Sequence, residues 1–140
     1  MIMKNPAIEI KKWLIARLAA YAYIDVYDGM FPQNVEVDNE YIVLTSRTAN
    51  QGEGKGCFQS EVSITIDIVT RSNSFGYKRA EIIAESVMAG VNSDTDVILP
   101  TGWDCKNVVL ESINNLEDLD PFDNTFRVIL RYTFVITQTI

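Results

Sequence analysis

The chain has 140 residues, the size of a single domain, and its 47% hydrophobic and 22% charged residues are typical of folded globular proteins. Its formal net charge is −7 and it contains no histidine, which argues against a basic nucleic-acid-binding face and removes the commonest acid–base catalyst. No apolar run approaches the roughly 18 residues that a membrane span needs, and the first residues indicate an amphipathic helix rather than a signal peptide, so we expect a soluble intracellular protein.

The first predicted element is an amphipathic helix that continues to about Ala20. Asn5 and Pro6 suit a helix start. Apolar residues follow at three- and four-residue spacing, which predicts one face packed on a core: Ala7, Ile10, Leu14, Leu18 and Tyr21. Residues 24–27 then predict a short extended segment, and turn residues follow it. We expect the chain to reverse there into a strand over residues 40–47.

The segment TANQGEGKG, residues 48–56, is polar and contains three glycines, which predicts a mobile loop between two strands. It is not a phosphate-binding loop, because Ala49 stands where that motif needs its first glycine and Gly56 where it needs Ser or Thr. The next run is the clearest strand pattern. Its apolar face consists of Val62, Ile64, Ile66 and Ile68, and polar residues alternate with them.

The second half of the chain predicts one more helix and further strands. Apolar spacing from about Tyr77 indicates a helix that ends near Gly90. Residues 97–99 and 106–114 predict two strands, and residues 116–123 an acidic turn. A long alternating pattern over 126–136 closes the chain, as part of a hairpin or as a strand that pairs with a neighbouring subunit. The sum is an α+β fold, with one mostly antiparallel sheet packed against two amphipathic helices in a single domain.

No catalytic, cofactor-binding or metal-binding residue is predicted. Cys57 and Cys105 lack metal-site spacing and are expected to be free thiols. The acidic segment lacks the alternating ligands and central glycine of a calcium loop, so we expect its residues to lie in a solvated turn: Asp118, Asp120 and Asp123.

Two groups of residues are candidates for a subunit or partner interface. The first comes from the Gly-rich segment and consists of Asn50, Gln51, Glu53 and Lys55. The second consists of aromatic residues in turns or at a helix start, Phe31, Phe75 and Tyr77. The alternatives are a plain solvated loop for the first group and aromatic side chains folded back over the sheet for the second.

The order and spacing of four segments resemble a known family. They are VYDGMFPQ at residues 26–33, YIVL at 41–44, SEVSITIDIVTR at 60–71 and GYKRAEIIAESVMAGV at 76–91. They are similar to the tail-terminator and head–tail joining proteins of long-tailed bacteriophages, in which a "VYDG…P" segment precedes strands and a helix with K/R-x-A-x-x-I/L. Lys78, Ala80 and Ile83 match that helix motif. After Val91 the chain departs from the pattern.

The resemblance implies a structural virion protein without enzymatic activity. Such a subunit forms a ring, commonly hexameric, at the end of the tail tube, where it stops tube polymerisation and joins the tail to the neck. Its partners are then the tail tube protein and neck or connector proteins, and DNA only passes through. In such a ring, Asp118, Asp120 and Asp123 are candidates for an acidic lumen that repels phosphates, as the alternative to a solvated turn. Assembly in the host cytoplasm is expected. A neck stopper or adaptor protein, and a small-ligand or protein-binding α+β module, are the alternatives.

Overall fold

The computed structural model of the protein describes residues 5–22, 24–29, 40–54, 57–71, 77–92, 94–119 and 124–139. In these residues the elements are α1 Pro6–Ala22, β1 Asp25–Asp28, β2 Glu40–Gly54, β3 Cys57–Arg71, α2 Tyr77–Gly90, β4 Trp103–Leu119 and β5 Asn124–Thr139. The strands form one sheet in the order β1-β2-β3-β5-β4. All neighbours are antiparallel except β1 and β2. The predicted α+β fold with a mostly antiparallel sheet is confirmed.

Both helices lie where the apolar spacing placed them. The Asn5 side chain accepts a hydrogen bond from the Ala7 backbone N–H at 3.0 Å, which caps the start of α1. The stripe that α1 buries consists of Ala7, Ile10, Leu14 and Leu18. The helix runs two residues beyond the predicted end. In α2, Ala80 and Ile83 of the family-like motif are buried, so these two positions are explained by packing, whereas Lys78 is exposed.

The core lies between the two helices and one face of the sheet. Even-numbered residues of β3 pair with even-numbered residues of β5 on this face, as in Ile64 with Tyr132 and Ile66 with Leu130. These four side chains are fully buried. The period-two pattern of the sequence therefore identified the helix-facing side of both central strands.

The predicted loop over residues 48–56 is wrong for the part that the structure describes. Residues 48–54 continue β2 and pair with the start of β3, with one register irregularity between Asn50 and Gly52. Strand pairing uses backbone N–H and C=O groups, so a polar, Gly-rich sequence can join a ladder when a long neighbouring strand is available. Lys55 and Gly56 lie outside the described residues.

Three other predictions need correction. Residues 116–119 belong to β4 rather than to an acidic turn, because they pair with the start of β5. Residues 97–99 form no strand: Val97 and Leu99 pack against the core, Ile98 is exposed, and no ladder partner is present among the described residues. The predicted antiparallel reversal from β1 into β2 is wrong, because these two strands run parallel.

The closing strand is long, as predicted, but it is an interior strand. β5 pairs with β3 on one side and with β4 on the other along nearly its whole length. A strand with two ladder partners has no backbone groups left for a third, so β5 cannot pair with a neighbouring subunit. Among the described long strands, open edges belong to β4 and to β2 beyond Leu44.

Candidate assembly surfaces

The predicted interface residues fall in different parts of the fold. Asn50, Gln51 and Glu53 lie on the distal part of β2, and Tyr77 is the first residue of α2. Asp118 lies on β4, where it pairs with Thr125 of β5. The other predicted residues lie outside the described part of the chain: Phe31, Lys55, Phe75, Asp120 and Asp123.

The structure separates the distal part of β2 from the acidic segment. Asn50 pairs with Ser60 at one end of β3, and Asp118 lies level with Arg71 at the other end, through Thr125. At about 3.3 Å per residue, the stretch from Ser60 to Arg71 spans about 36 Å. These two predicted groups therefore lie at opposite ends of the sheet and do not form one site on one subunit.

The outer edge of the sheet carries a row of exposed apolar side chains that the sequence analysis did not single out. β4 has β5 as its ladder partner among the described residues and lies last in the strand order. Its apolar residues Ile113, Leu116, Val109 and Leu110 are 52%, 47%, 39% and 37% exposed. A long apolar edge strand is a template for pairing with another chain.

The exposed residues of β4 lie on both faces of the sheet. Leu110 and Ile113 pair with the buried Tyr132 and Leu130, so they extend the helix-facing core surface sideways. Val109 and Leu116 pair with Thr133 and Arg127 on the opposite face. Apolar side chains on both faces are typical of a strand that is covered on both sides, not of a free edge.

The sequence of β4 already indicates that apolar side chains lie on both of its faces. In the segment KNVVLESINNL, Val108, Val109 and Leu110 are consecutive, so one of the three must face away from a one-sided core. The same segment carries Ile113 and Leu116 three residues apart, and because no register shift lies between them these two side chains also lie on opposite faces. Which of these side chains lies on the helix side of the sheet follows from the pairing of β4 with β5, which the sequence does not specify.

An open groove of about 340 Å³ runs between the C-terminal end of α2 and β4. Its lining is mostly apolar and consists of Met88, Val91, Asn92, Asn107, Val108, Val109, Leu110 and Tyr132. The Tyr132 hydroxyl donates a hydrogen bond to the Val91 carbonyl at 2.9 Å, and burial raises the pKa of Tyr132 to about 12. This tyrosine is therefore neutral at physiological pH and serves packing rather than proton transfer.

The face of the sheet away from the helices carries charged side chains. Arg127 forms a two-pronged ion pair with Asp67, in which Nε lies 3.1 Å from Oδ1, and the hydrogen bond to Asp67 raises the pKa of Arg127. Beside this pair, Tyr41, Val43 and Val69 form a small buried cluster against Tyr27. The Arg127–Asp67 ion pair links β5 to β3 on this face of the sheet.

Within the described residues, no three His, Cys, Asp or Glu side chains are grouped closely enough to hold a metal ion. The Cys105 thiol is free, and burial raises its pKa. Cys57 lies on β3, and its side chain is outside the described part of the structure. Among the described helices, neither is long and apolar enough to cross a membrane.

Comparison with solved structures identifies a shared fold. No protein-family model matches the chain, and no curated protein matches it. Among solved structures, it is similar to a chain in the virion of a native gene transfer agent (GTA) particle, with a TM-score of 0.69 and 16% sequence identity. The match covers 95% of this chain and 99% of that chain. At this identity the likeness establishes a shared fold over almost the whole of both chains.

Proposed function

We propose that this chain is a structural, non-enzymatic virion protein that forms a ring at the end of the tail tube of a phage-like particle. The ring ends tube polymerisation and joins the tail to the neck. The observation that carries this proposal is the likeness to a GTA virion chain, since that chain and this one match over nearly their full lengths. A near-complete match means that the two chains share this fold as whole domains and not only in one subdomain, and the step from fold to role is made by analogy.

The surfaces of the molecule support an assembly role. The apolar residues on both faces of β4 are exposed in the single chain, and burying them requires contact with another protein. The family-like order of segments in the sequence points to the same class of protein. In this role the partners are further copies of the chain in a hexameric ring, the tail tube protein, and neck or connector proteins.

DNA enters this proposal as cargo in passage. The net charge of −7 gives the chain no excess of cations with which to hold phosphates, which suits a channel through which DNA slides. The location that follows is the tail and neck of the virion, after assembly in the host cytoplasm. Asp118, Asp120 and Asp123 remain the proposed acidic residues of the channel.

Electron microscopy of the purified protein at high concentration, with and without the tail tube protein of the same particle, tests the proposal. We expect closed rings with a pore wide enough for duplex DNA, seated at tube ends when tubes are present. A subunit that assembles only on its template remains a monomer when alone, so the sample with tubes is the decisive one. Absence of rings in both samples contradicts the proposal and favours a binding module that uses the α2–β4 groove.

A neck stopper or adaptor is the second candidate, because the solved neighbour is part of a whole virion and its likeness fits either position. Separate incubation with purified tail tubes and with DNA-filled heads that lack tails distinguishes the two roles. A terminator binds tube ends, whereas a stopper or adaptor binds the head vertex.

A further inference from the structure

We propose that neighbouring copies of the chain join edge to edge, with β4 of one copy paired to residues 45–54 of β2 in the next. This inference rests on the proposed ring, and it names the two surfaces that close it. The two surfaces differ, so the contact is head-to-tail, and repetition around an axis gives a ring rather than a pair.

The first surface is the outer edge of β4. Its 17 residues have β5 on one side, and no described residue pairs on the other. The strand shows apolar side chains on both faces. Level with residues 46 and 47 of β2, these are Leu110 on the helix side, 37% exposed, and Val109 on the other side, 39% exposed. A strand added to this edge would satisfy its backbone groups and bury apolar surface on both sides.

The second surface is the outer edge of β2 beyond Leu44. β1 covers the beginning of β2 and stops with Asp28 opposite Leu44. The Gly29 N–H donates a hydrogen bond to the Leu44 carbonyl at 2.7 Å, and Gly29 has φ 76°, a left-handed conformation that glycine adopts readily. Residues 45–54 therefore have β3 on one side and no described ladder partner on the other, and residues 45–48 are exposed.

Strand direction makes these two edges compatible. The four long strands β2, β3, β5 and β4 alternate in direction, so β4 runs opposite to β2 within one chain. Rotation about an axis parallel to the strands preserves their direction. The β2 strand of the rotated copy is therefore antiparallel to β4 of the first copy, and the antiparallel alternation continues across the junction.

The helix layer fits the same arrangement. α1 packs on β1, β2 and β3, and α2 packs on β3 and β5, whereas Leu110 and Ile113 on the helix side of β4 are exposed. In a copy joined at this edge, α1 comes to lie beside β4 of its neighbour. That placement gives the uncovered apolar side chains of β4 a helix to pack against.

One exposed charged side chain on each edge, Glu111 on β4 and Arg47 on β2, has the opposite sign to the other, and the two lie at similar heights along the strands. Asp104, Lys106, Glu117 and Asp118 of β4 and Glu53 of β2 lie farther along the strands. From residue 107 to residue 116 the charged side chain of β4 is Glu111, which is exposed at a β-bulge, and from residue 45 to residue 52 the charged side chain of β2 is Arg47, also exposed. Neither residue has an ion-pair partner among the described residues. This complementarity selects the β4–β2 contact over a β4–β4 contact, in which Glu111 would approach a like charge.

Reversing each charge separately tests the contact. Glu111→Arg and Arg47→Glu proteins are each incubated with tail tube protein, and rings are counted by electron microscopy. The matched controls are Glu85→Arg and Lys78→Glu, which make the same charge changes at exposed positions of α2. We expect each interface variant to lose rings and each control to retain them, while circular dichroism and thermal melting verify that all four proteins are folded.

An equimolar mixture of the two interface variants provides the decisive measurement. In an alternating ring, every junction between the two variants again joins opposite charges, so rings should return in the mixture and in the double variant. Rings that persist in the single variants, or that do not return in the mixture, overturn the β4–β2 contact while the proposed ring function stands. Absence of rings with the unsubstituted protein overturns the function and this inference with it.

Discussion

Gly90 is the residue at which the two helices touch. A Cβ atom built on Gly90 would lie 2.8 Å from Cγ of Tyr21, closer than real side chains approach. Arg17 completes the contact, because its Nε donates to the Gly90 carbonyl at 2.8 Å and its guanidinium lies 4.6 Å from the centre of the Tyr21 ring. Glycine is therefore required here by the close approach of a ring, not by an unusual backbone conformation.

Gly90→Ala should lower the free energy of unfolding by about 1–3 kcal/mol, because Cγ is the base of the Tyr21 ring and can move away only with a change of rotamer. Alanine is intrinsically better in a helix by up to about 1 kcal/mol, so overpacking must exceed that gain. Urea denaturation measures the difference. In a Tyr21→Ala background the same substitution should be harmless or stabilising, and stabilisation in the unsubstituted protein would contradict the clash.

Tyr132 makes stability depend on pH in the alkaline range. Its pKa is about 12 in the folded protein, because burial disfavours the phenolate, against an ordinary value near 10. A folded-state pKa above the unfolded value means that the full contribution to stability is present below pH 10. That contribution is lost as the pH rises from about 10 towards 12.

We expect the free energy of unfolding to fall by on the order of 2 kcal/mol over that range, as measured by urea denaturation at several pH values. Tyr132→Phe should flatten this dependence, although it also removes the hydrogen bond to Val91 and so starts from a lower stability. Tyr21→Phe is the matched control at a 40% exposed tyrosine and should retain the slope. An unchanged slope in Tyr132→Phe would show that another group is responsible.

At the scale of elements, the two last strands have different environments although they pair with each other. Leu130 of β5 is fully buried, while its partner Ile113 of β4 is 52% exposed on the same face of the sheet. Interior and edge positions in one ladder therefore differ in how much apolar area folding of a single chain buries. The difference predicts which strand contributes to the core and which contributes to assembly.

Leu130→Ala should lower the free energy of unfolding of the monomer by about 2–5 kcal/mol, and Ile113→Ala by less than about 1 kcal/mol. Urea denaturation of dilute protein, at concentrations where sedimentation shows a monomer, makes the comparison. A cost for Ile113→Ala as large as that for Leu130→Ala would mean that β4 is already covered within the chain, and the edge contact would lose its basis.

At the scale of the whole molecule, the sheet is longer than the helices that cover it. Strands of 15 to 17 residues span about 50 Å, whereas α2, with 14 residues, spans about 21 Å. Two short helices cannot cover such a sheet, so among the described residues no helix covers its far ends or its β4 edge. Charged residues also lie on the parts of the sheet that the helices do not cover. Arg47 and Arg131 are exposed on the face away from the helices, and Asp118 lies at the end of the sheet opposite Asn50.

The sequence by itself determined the local elements and the core faces of this protein. The 3.6-residue spacing identified α1 and α2, the Asn5 cap marked where α1 begins, and the period-two alternation identified the buried sides of β3 and β5. These features are local: the spacing of apolar residues within one segment is enough to identify the buried face of a helix or strand.

Only the tertiary structure decided which strands are neighbours. It placed β5 inside the sheet and β4 at its edge, made β1 parallel to β2, and extended β2 through the Gly-rich residues 48–54. Ladders form between backbone groups that all residues share, across long separations in the chain, so no local side-chain pattern specifies them. The candidate assembly edge depends on that order, so the sequence pattern of β4 predicts a strand but not its exposed position in the sheet.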